Sequence, residues 1–259
     1  MLVYKTEEEI ELVRRNNQLV SKTLAEVAKL VKPGVTTLDL DRRAEEFIRD
    51  NGAIPGFLGY GGYPNTLCTS VNDEVVHGIP SKYVLKEGDI ISVDCGTYMD
   101  GFYGDTAYTF PVGEISAEVM NLLKVTKESL FKGIENAIEG KRIGDIGYAV
   151  QFHAEKAGYS VVREMVGHGL GANMHESPEV PNYGRRGRGV MVKKGLVLCI
   201  EPMINMGSRH IKQDDDGWTI RTIDEKPSAH YELAVAINKG KAEILSTFDY
   251  IEEVTKNKI

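Results

Sequence analysis

The chain has 259 residues, of which 42% are hydrophobic and 27% are charged, a composition ordinary for a globular protein. Its net charge of -7 argues against general nucleic-acid binding and leaves only a local basic patch as an option. Three cysteines cannot form a complete set of disulfides, which favours a reducing compartment. The N-terminus lacks an apolar signal core and no long apolar run occurs, so we expect a cytoplasmic protein without a membrane segment.

The first part of the chain predicts two helices followed by strands. Thr6 and Glu9 have the spacing of a capping box, and apolar residues at helical intervals continue to Val31. Lys32-Pro33-Gly34 then ends the helix. The elements predicted after it are a helix over 38–50, a loop with a short strand over 53–70, and strands over 71–80, 90–93 and 102–110.

The same order of elements then restarts, with helices predicted over 116–138 and 140–158. Residues 86–94 and 193–201 each begin with lysine, have a glycine two positions later and end on a carboxylate six residues after that glycine. We therefore predict an α+β fold of two pseudo-symmetric halves, about 1–112 and 113–259, packed as a single domain spanning 1–259.

Two aspartates of the first half are candidate metal ligands. Asp100-Gly101 predicts a two-residue hairpin turn, which pairs Met99 with Phe102. Counting outward, Asp94 and Asp105 become diagonal neighbours on one face, with backbones about 7–8 Å apart. Their carboxylates can converge on ions between them. The alternative is a pair of surface aspartates on an amphipathic hairpin.

Two glutamates of the second half extend this candidate set. Glu201 ends an apolar strand just before Pro202, which cannot continue the hydrogen bonding. Glu232 lies on a predicted return strand, where alternation places it on one face with Ala234 and Ala236. A lone glutamate among small residues suits a ligand, and the alternative is a glutamate on an edge strand.

Three of the six histidines stand in distinctive contexts. His168 is flanked by glycines that let the backbone approach closely, His175 follows shortly after, and His77 precedes Gly78-Ile79-Pro80. The others are interpreted as structural residues: His153, His210 and His230. A set dominated by carboxylates favours Mn²⁺, Fe²⁺, Co²⁺ or Zn²⁺. Two such ions, about 3.5–4 Å apart around a bridging hydroxide, would balance four carboxylates.

These residues resemble a known family, the methionine aminopeptidases. The resemblance covers nearly the whole chain and rests on the segments 72–80, 100–106, 167–171, 175–176 and 200–203. The short interval between His175 and Glu201 resembles the type I enzymes. The resemblance implies the duplicated pita-bread fold, with a curved antiparallel sheet covered by helices. It also implies metal-dependent removal of the N-terminal methionine from nascent proteins and peptides.

The resemblance assigns a role to each candidate ligand. Asp105 and Glu232 would bridge two divalent metal ions. Asp94 would complete one metal site, and His168 with Glu201 the other. Glu201 would also take a proton from the bridging water and return it to the leaving amine. The remaining catalytic residues, His77 and His175, would bind the substrate and stabilise the developing oxyanion and the leaving nitrogen.

The resemblance further implies a methionine pocket that includes Tyr60, Tyr63, Cys68 and Trp218. Ordinary packing is the alternative for these four residues. Phe57 and Met174 stand where relatives commonly have cysteine and phenylalanine, and both are expected to line the pocket. Leu233 stands where the family usually has histidine, and alternation predicts that it points away from the metals.

Two rival functions share this pattern. A Xaa-Pro aminopeptidase or dipeptidase of the same fold would have the same five ligands and a different pocket. A non-enzymatic peptide-binding relative would usually lack ligands, whereas all five are present here.

The basic loop at residues 183–189 contains three arginines, and its interpretation stays open. It is either a solvated surface loop or a transient contact with RNA or the ribosome, which would suit an enzyme acting on nascent chains. A monomer is the expected oligomeric state.

Overall fold

The computed structural model describes residues 1–256, and its helices begin and end at local sequence signals. The Thr6 side chain accepts a hydrogen bond from the Glu9 backbone, and the Glu9 side chain accepts one from the Thr6 backbone, as predicted. The first helix ends at Ala28 rather than at Val31, because i→i−3 bonds tighten the chain after it. The helices are α1 (Glu7–Ala28), α2 (Thr37–Asp50), α3 (Ala117–Ile134), α4 (Ile143–Lys156) and α5 (Asp249–Thr255). Within the described range, no helix is both long and apolar enough to cross a membrane.

All pairings between the strands are antiparallel. The strands are β1 (Ile54–Pro55), β2 (Leu67–Val71), β3 (Glu74–Val76), β4 (Ile90–Met99), β5 (Phe102–Pro111), β6 (Ser160–Val161), β7 (Gly167–Gly169), β8 (Glu176–Val180), β9 (Val197–Ile200), β10 (Met203–Asn205), β11 (Ile211–Gln213), β12 (Ile220–Thr222), β13 (Ser228–His230), β14 (Leu233–Ala236) and β15 (Glu243–Ile244).

Hydrogen bonding divides these strands among four sheets: β1-β4-β2 with β5 on β4, β13-β10-β6, β11-β12-β3, and β15-β14-β9-β7-β8. The α+β fold of antiparallel strands and covering helices is therefore confirmed. The antiparallel strands form several hydrogen-bonded sheets. The strand predicted over 71–80 is also shorter, because it turns after β2 and leaves only β3 before His77.

The duplication is visible in matched backbone hydrogen bonds. Before α2, Gly34 N–H donates to the Leu85 carbonyl at 2.9 Å, and before α4, Gly140 N–H donates to the Val192 carbonyl at 3.1 Å. In each half, the segment leading into the helix is thus pinned to the segment before the lysine-glycine turn. Two statements stay predictions: that all residues form one domain, and that the sequence boundary between its halves lies near residue 112.

The two halves meet along β5. Thr109 Oγ1 donates to the His230 carbonyl at 2.7 Å and accepts from the His230 N–H at 2.9 Å. Two residues further, Glu232 N–H donates to the Ala107 carbonyl at 2.9 Å. We call these bonds the seam. They place β5 of the first half beside the chain that links β13 and β14 of the second.

Alternation along β14 distributes its side chains between two apolar clusters. Leu233 and Val235 are buried in the main core, whereas Ala234 and Ala236 pack in a second cluster with residues of α1. Leu233 therefore lies on the face opposite Ala234, as alternation requires. The seam and these clusters hold the ends of the central strands, which carry the candidate site.

Candidate metal centre and substrate cavity

The β4–β5 hairpin places the first two carboxylates as the turn predicts. Met99 pairs with Phe102 and Asp94 with Ala107, so Asp94 and Asp105 lie diagonally on one face. Asp105 is 4% exposed. One carboxylate oxygen of each aspartate is buried without a hydrogen-bond partner.

The two glutamates face each other at interruptions in neighbouring strands. Leu233 pairs with Ile200 on one side of the gap, and His230 pairs with Met203 on the other. The same register carried through the gap sets Glu232 opposite Glu201. The predicted return strand that carries Glu232 is thus broken at Tyr231 and Glu232, because Pro202 opposite has no N–H to donate.

His168 joins this cluster from β7, where its backbone is packed tightly. A Cβ at the preceding Gly167 would lie 2.3 Å from the Cys199 carbonyl oxygen, so only glycine fits there. The His168 Nδ1 lies 2.9 Å from the Gly169 carbonyl, which can only accept, so Nδ1 carries the proton. The lone pair of Nε2 then faces the carboxylates, 3.5 Å from Glu201 Oε1 and 3.7 Å from Asp105 Oδ2.

Burial strongly opposes the charge of these carboxylates. It raises the pKa of Asp94 to about 7. It also raises the pKa of Asp105 well above its usual value, where repulsion from Glu232 and Asp94 adds to the shift. The pKa values of Glu201 and Glu232 are raised in the same way, by burial first and then by carboxylate neighbours.

The cluster fits divalent cations. Buried oxygens of Asp94, Asp105 and Glu232 lack hydrogen-bond partners, which is the arrangement that ligands to an ion would have. Burial lowers the pKa of His168 to about 3, so its imidazole is neutral and able to coordinate. Positive ions would offset the mutual repulsion of the carboxylates.

Sequence reasoning missed two buried side chains of this cluster. Cys199 offers a ligand atom that lies within 4.8 Å of those of Asp105, His168 and Glu232. His230, interpreted as structural from the sequence, lines the cavity with its Nε2 3.8 Å from Glu201 Oε2. Each lies two residues before a predicted ligand, so the strand periodicity that oriented Glu232 could have pointed to both positions.

The cluster forms the floor of a cavity of about 340 Å³, a volume in the range of small-ligand sites. All predicted site residues except Met174 line it. The structure brings together Phe57, Tyr60, Tyr63, Cys68, His77, Asp94, Asp105, His168, His175, Glu201, Trp218 and Glu232. Residues that were not predicted complete the wall: Gly61, Val76, Glu164, Met165, Val166, Met203 and His230.

Met174 does not line this cavity, contrary to expectation. It is fully buried, and its terminal methyl group lies over Gly56 and Gly96, beside the Phe57 ring. The two glycines leave room for that methyl group, since a Cβ on either would lie 2.9 Å from it. Met174 therefore supports Phe57 from behind the cavity wall.

Three polar side chains surround the entrance to the cluster. The His175 ring stands edge-on to that of His168, with centroids 4.3 Å apart, and its Nδ1 lies 2.8 Å from the Tyr60 hydroxyl. His77 has a left-handed backbone at φ 61°, which turns the chain sharply after β3. Burial lowers the pKa of His175 and lowers that of His77 to about 4, so both imidazoles are neutral near pH 7.

Two aromatic side chains form a further part of the cavity lining, which we call the aromatic wall. The Tyr63 and Trp218 rings meet edge to face, with centroids 5.1 Å apart. Trp218 lies on the hairpin between β11 and β12, where Arg221 binds Asp73 and Glu74 at 3.0 and 2.7 Å. These ion pairs attach the hairpin that carries the tryptophan to the segment that precedes His77.

A buried cluster of carboxylates and imidazole at the base of a substrate-sized cavity, set in a duplicated α+β fold, defines a metal-dependent hydrolase. The chain belongs to metallopeptidase family M24, whose family model matches residues 11–239.

Its relatives narrow this class. The chain is 54% identical to a methionine aminopeptidase of Clostridium acetobutylicum, over 95% of this chain and 99% of that protein. It superposes on the crystal structure of a methionine aminopeptidase from Rickettsia prowazekii with a TM-score of 0.94 at 41% identity, covering 95% of this chain and all of that one. A Xaa-Pro dipeptidase from Bacillus anthracis gives a TM-score of 0.76 at 19% identity, covering 94% of this chain and 62% of that one, a likeness of fold alone.

The raised carboxyl pKa values predict that the metal-free protein loses stability as pH rises from 7 to 8. These groups keep protons in the folded chain that the unfolded chain has already released. The buried histidines have lowered pKa values, so their opposite effect is confined to lower pH. We expect the free energy of unfolding to fall over this interval, measured by urea unfolding with chelator.

Two comparisons check that the raised carboxyl pKa values cause this pH dependence. Glu232→Gln removes one titrating carboxyl and should give a shallower pH dependence than the unchanged protein. Excess Mn²⁺ should abolish the dependence, because bound cations favour the ionised carboxylates. A metal-free protein whose stability is constant or rises over this pH interval would contradict the pKa shifts.

Proposed function

We propose that this protein is a methionine aminopeptidase, which hydrolyses the N-terminal methionine from peptides and nascent proteins. One observation carries the proposal: the five candidate ligands, three of them buried, converge in a cavity that has an aromatic wall. The 54% identity to a methionine aminopeptidase over nearly the whole chain supports the same conclusion.

Two divalent ions fit the donor set. Asp94, Asp105, His168, Glu201 and Glu232 would hold them. The set of hard oxygen donors and one imidazole suits Mn²⁺, Fe²⁺, Co²⁺ or Zn²⁺. Bound ions supply Lewis-acid polarisation of the scissile carbonyl and lower the pKa of water.

Glu201 is the proposed proton carrier of the reaction. Burial and the neighbouring aspartates raise its pKa, so this carboxyl holds a proton more readily than an exposed glutamate. It accepts the proton of the attacking water and delivers it to the departing amine. The 3.8 Å separation between Glu201 Oε2 and His230 Nε2 places a second polar group beside this transfer.

The remaining polar residues bind and orient the peptide. A neutral imidazole carries one N–H, and a Tyr60 hydroxyl that donates to His175 Nδ1 leaves that N–H on Nε2. His175 can then donate to an oxyanion or a departing nitrogen, and His77 can do so from its own neutral ring. The methionine side chain packs against the wall of Tyr63 and Trp218, with Phe57 and Cys68 nearby.

Glu201→Gln tests the proton transfer. The amide keeps the shape of the side chain and cannot accept the proton, so we expect kcat to fall roughly 100-fold or more. Hydrolysis of a Met-Ala-Ser peptide by the metal-loaded variant measures the effect. Glu164→Gln is the matched control, because Glu164 lines the same cavity outside the ligand set. A fully active Glu201→Gln variant would refute the role.

Substrate preference separates the proposal from the Xaa-Pro alternative. We expect cleavage of Met-Ala-Ser and no cleavage of Ala-Pro peptides, because the apolar aromatic cavity suits a long thioether side chain. Competition between the two peptides, followed by mass spectrometry, gives the ratio of their kcat/KM values. Faster release from the Ala-Pro peptide would overturn the assignment, and cleavage of neither would favour a peptide-binding relative.

We also propose a cytoplasmic monomer that contacts the ribosome transiently. All three cysteines lie within the described residues and are free thiols, as expected in a reducing compartment. Arg185, Arg186 and Arg188 are exposed, and the Arg186 guanidinium lies 4.5 Å from the Tyr148 ring centroid. An arginine-rich surface beside an aromatic ring suits RNA.

Removing these charges tests the ribosome contact. The triple variant R185A/R186A/R188A should sediment with ribosomes less than the unchanged protein, while hydrolysis of Met-Ala-Ser stays the same. A second triple variant, K82A/K239A/K241A, removes three equally exposed charges elsewhere and serves as the control. Equal sedimentation of both variants and the unchanged protein would refute the contact.

A further inference from the structure

A buried ion pair lies next to the candidate site and joins the N-terminal segment to the second half. Lys5 Nζ lies 2.5 Å from Glu176 Oε2, and the two side chains are 2% and 4% exposed. The Lys5 backbone N–H also donates to the Gly195 carbonyl at 2.7 Å. Burying two charges is unfavourable unless their geometry is well satisfied, and removal of one partner leaves the other uncompensated.

The pair is packed beneath the loop between β7 and β8. A Cβ at Gly171 would lie 2.5 Å from Lys5 Cε and 2.6 Å from Glu176 Oε1, so the loop backbone lies directly on the ion pair. The second oxygen of Glu176 is also engaged, because Oε1 accepts the Asn173 N–H at 3.2 Å. A single carboxylate therefore lies against the loop backbone at Gly171 and accepts a hydrogen bond from Asn173.

This loop ends at His175, the residue before Glu176. Successive side chains of an extended chain point to opposite faces. Accordingly, the His175 ring contacts His168 and Tyr60 in the cavity, whereas the Glu176 carboxylate points to the buried Lys5. Any movement of Glu176 would displace the His175 backbone by a similar amount.

We propose that Lys5 is a positioning residue for His175 and acts through its buried ion pair with Glu176. Lys5 is not among the residues that line the cavity. Its ammonium fixes the carboxylate that anchors the loop, and the loop sets where the His175 imidazole meets the substrate. The inference rests on the proposed function, since it requires that His175 act on a substrate.

A double-mutant cycle tests this proposal. Lys5→Met removes the charge and keeps most of the side-chain volume, and we expect it to lower kcat for Met-Ala-Ser roughly 10- to 100-fold, because small displacements of positioning groups are costly. In a His175→Ala background, the same substitution should change kcat by less than about twofold, since the imidazole it positions is absent. If Lys5→Met lowered kcat by the same factor in both backgrounds, the proposal would be overturned, and a general loss of protein stability would explain the effect.

Two further variants keep the test decisive. Lys194→Met removes a lysine whose Nζ lies 2.7 Å from Glu7 Oε1 in an exposed pair, and it should leave kcat unchanged. If Lys5→Met does not fold, K5M/E176M removes both buried charges, and an apolar pair of similar volume retains the fold. Reduced kcat in this folded double variant, absent in the His175→Ala background, supports the proposal, and wild-type kcat would refute it.

The cycle also separates failure of this inference from failure of the proposed function. A His175→Ala variant with full activity would refute the assigned role of His175. The positioning role alone would be refuted if His175→Ala were weakly active and Lys5→Met lowered its kcat by the same factor as in the unchanged protein.

Discussion

Repulsion among buried carboxylates is the constraint on which the rest of this structure depends. Asp94, Asp105, Glu201 and Glu232 come from two halves of the chain and meet where burial and neighbouring charges raise their pKa values. Such a cluster is unfavourable in a protein core without cations or protons. The surrounding strands, seam and aromatic wall hold together groups that would otherwise separate.

The two halves contribute to this cluster unequally. The first half supplies two aspartates from a regular hairpin, whose ten-residue strands fix their spacing through a continuous ladder. The second half supplies its glutamates from facing interruptions beside Pro202. The interruption releases Glu201 from regular pairing, which suits a side chain proposed to move a proton. The regular hairpin suits aspartates proposed only to bind.

Local rules were sufficient to predict the parts of the site that lie on strands. A two-residue turn at Asp100-Gly101 determines the hairpin register, and alternation determines the side on which Glu232 lies. The same alternation could have indicated Cys199 and His230, which lie two residues before Glu201 and Glu232. The metal-ligand roles and their order came from the resemblance to a family rather than from spacing.

Contacts between distant segments could not be predicted in this way. The orientation of Met174 depends on Gly56 and Gly96, which lie in the other half and leave space for its methyl group. The left-handed turn at His77 belongs to no periodic element. Lys5 reads as an ordinary surface lysine in the sequence, and only the folded chain shows that its partner is Glu176.

The seam along β5 has a consequence for how the molecule would hold its ions. Asp105 and Glu232 are 127 positions apart in the chain and belong to different halves. A cation held by both carboxylates would act as a non-covalent cross-link that closes a long loop, much as a disulfide does. Because its three cysteines are free thiols, the chain has no disulfide among its described residues, and a cation at the candidate site would provide a comparable cross-link. Bound metal would then add to the stability of halves that the seam already joins.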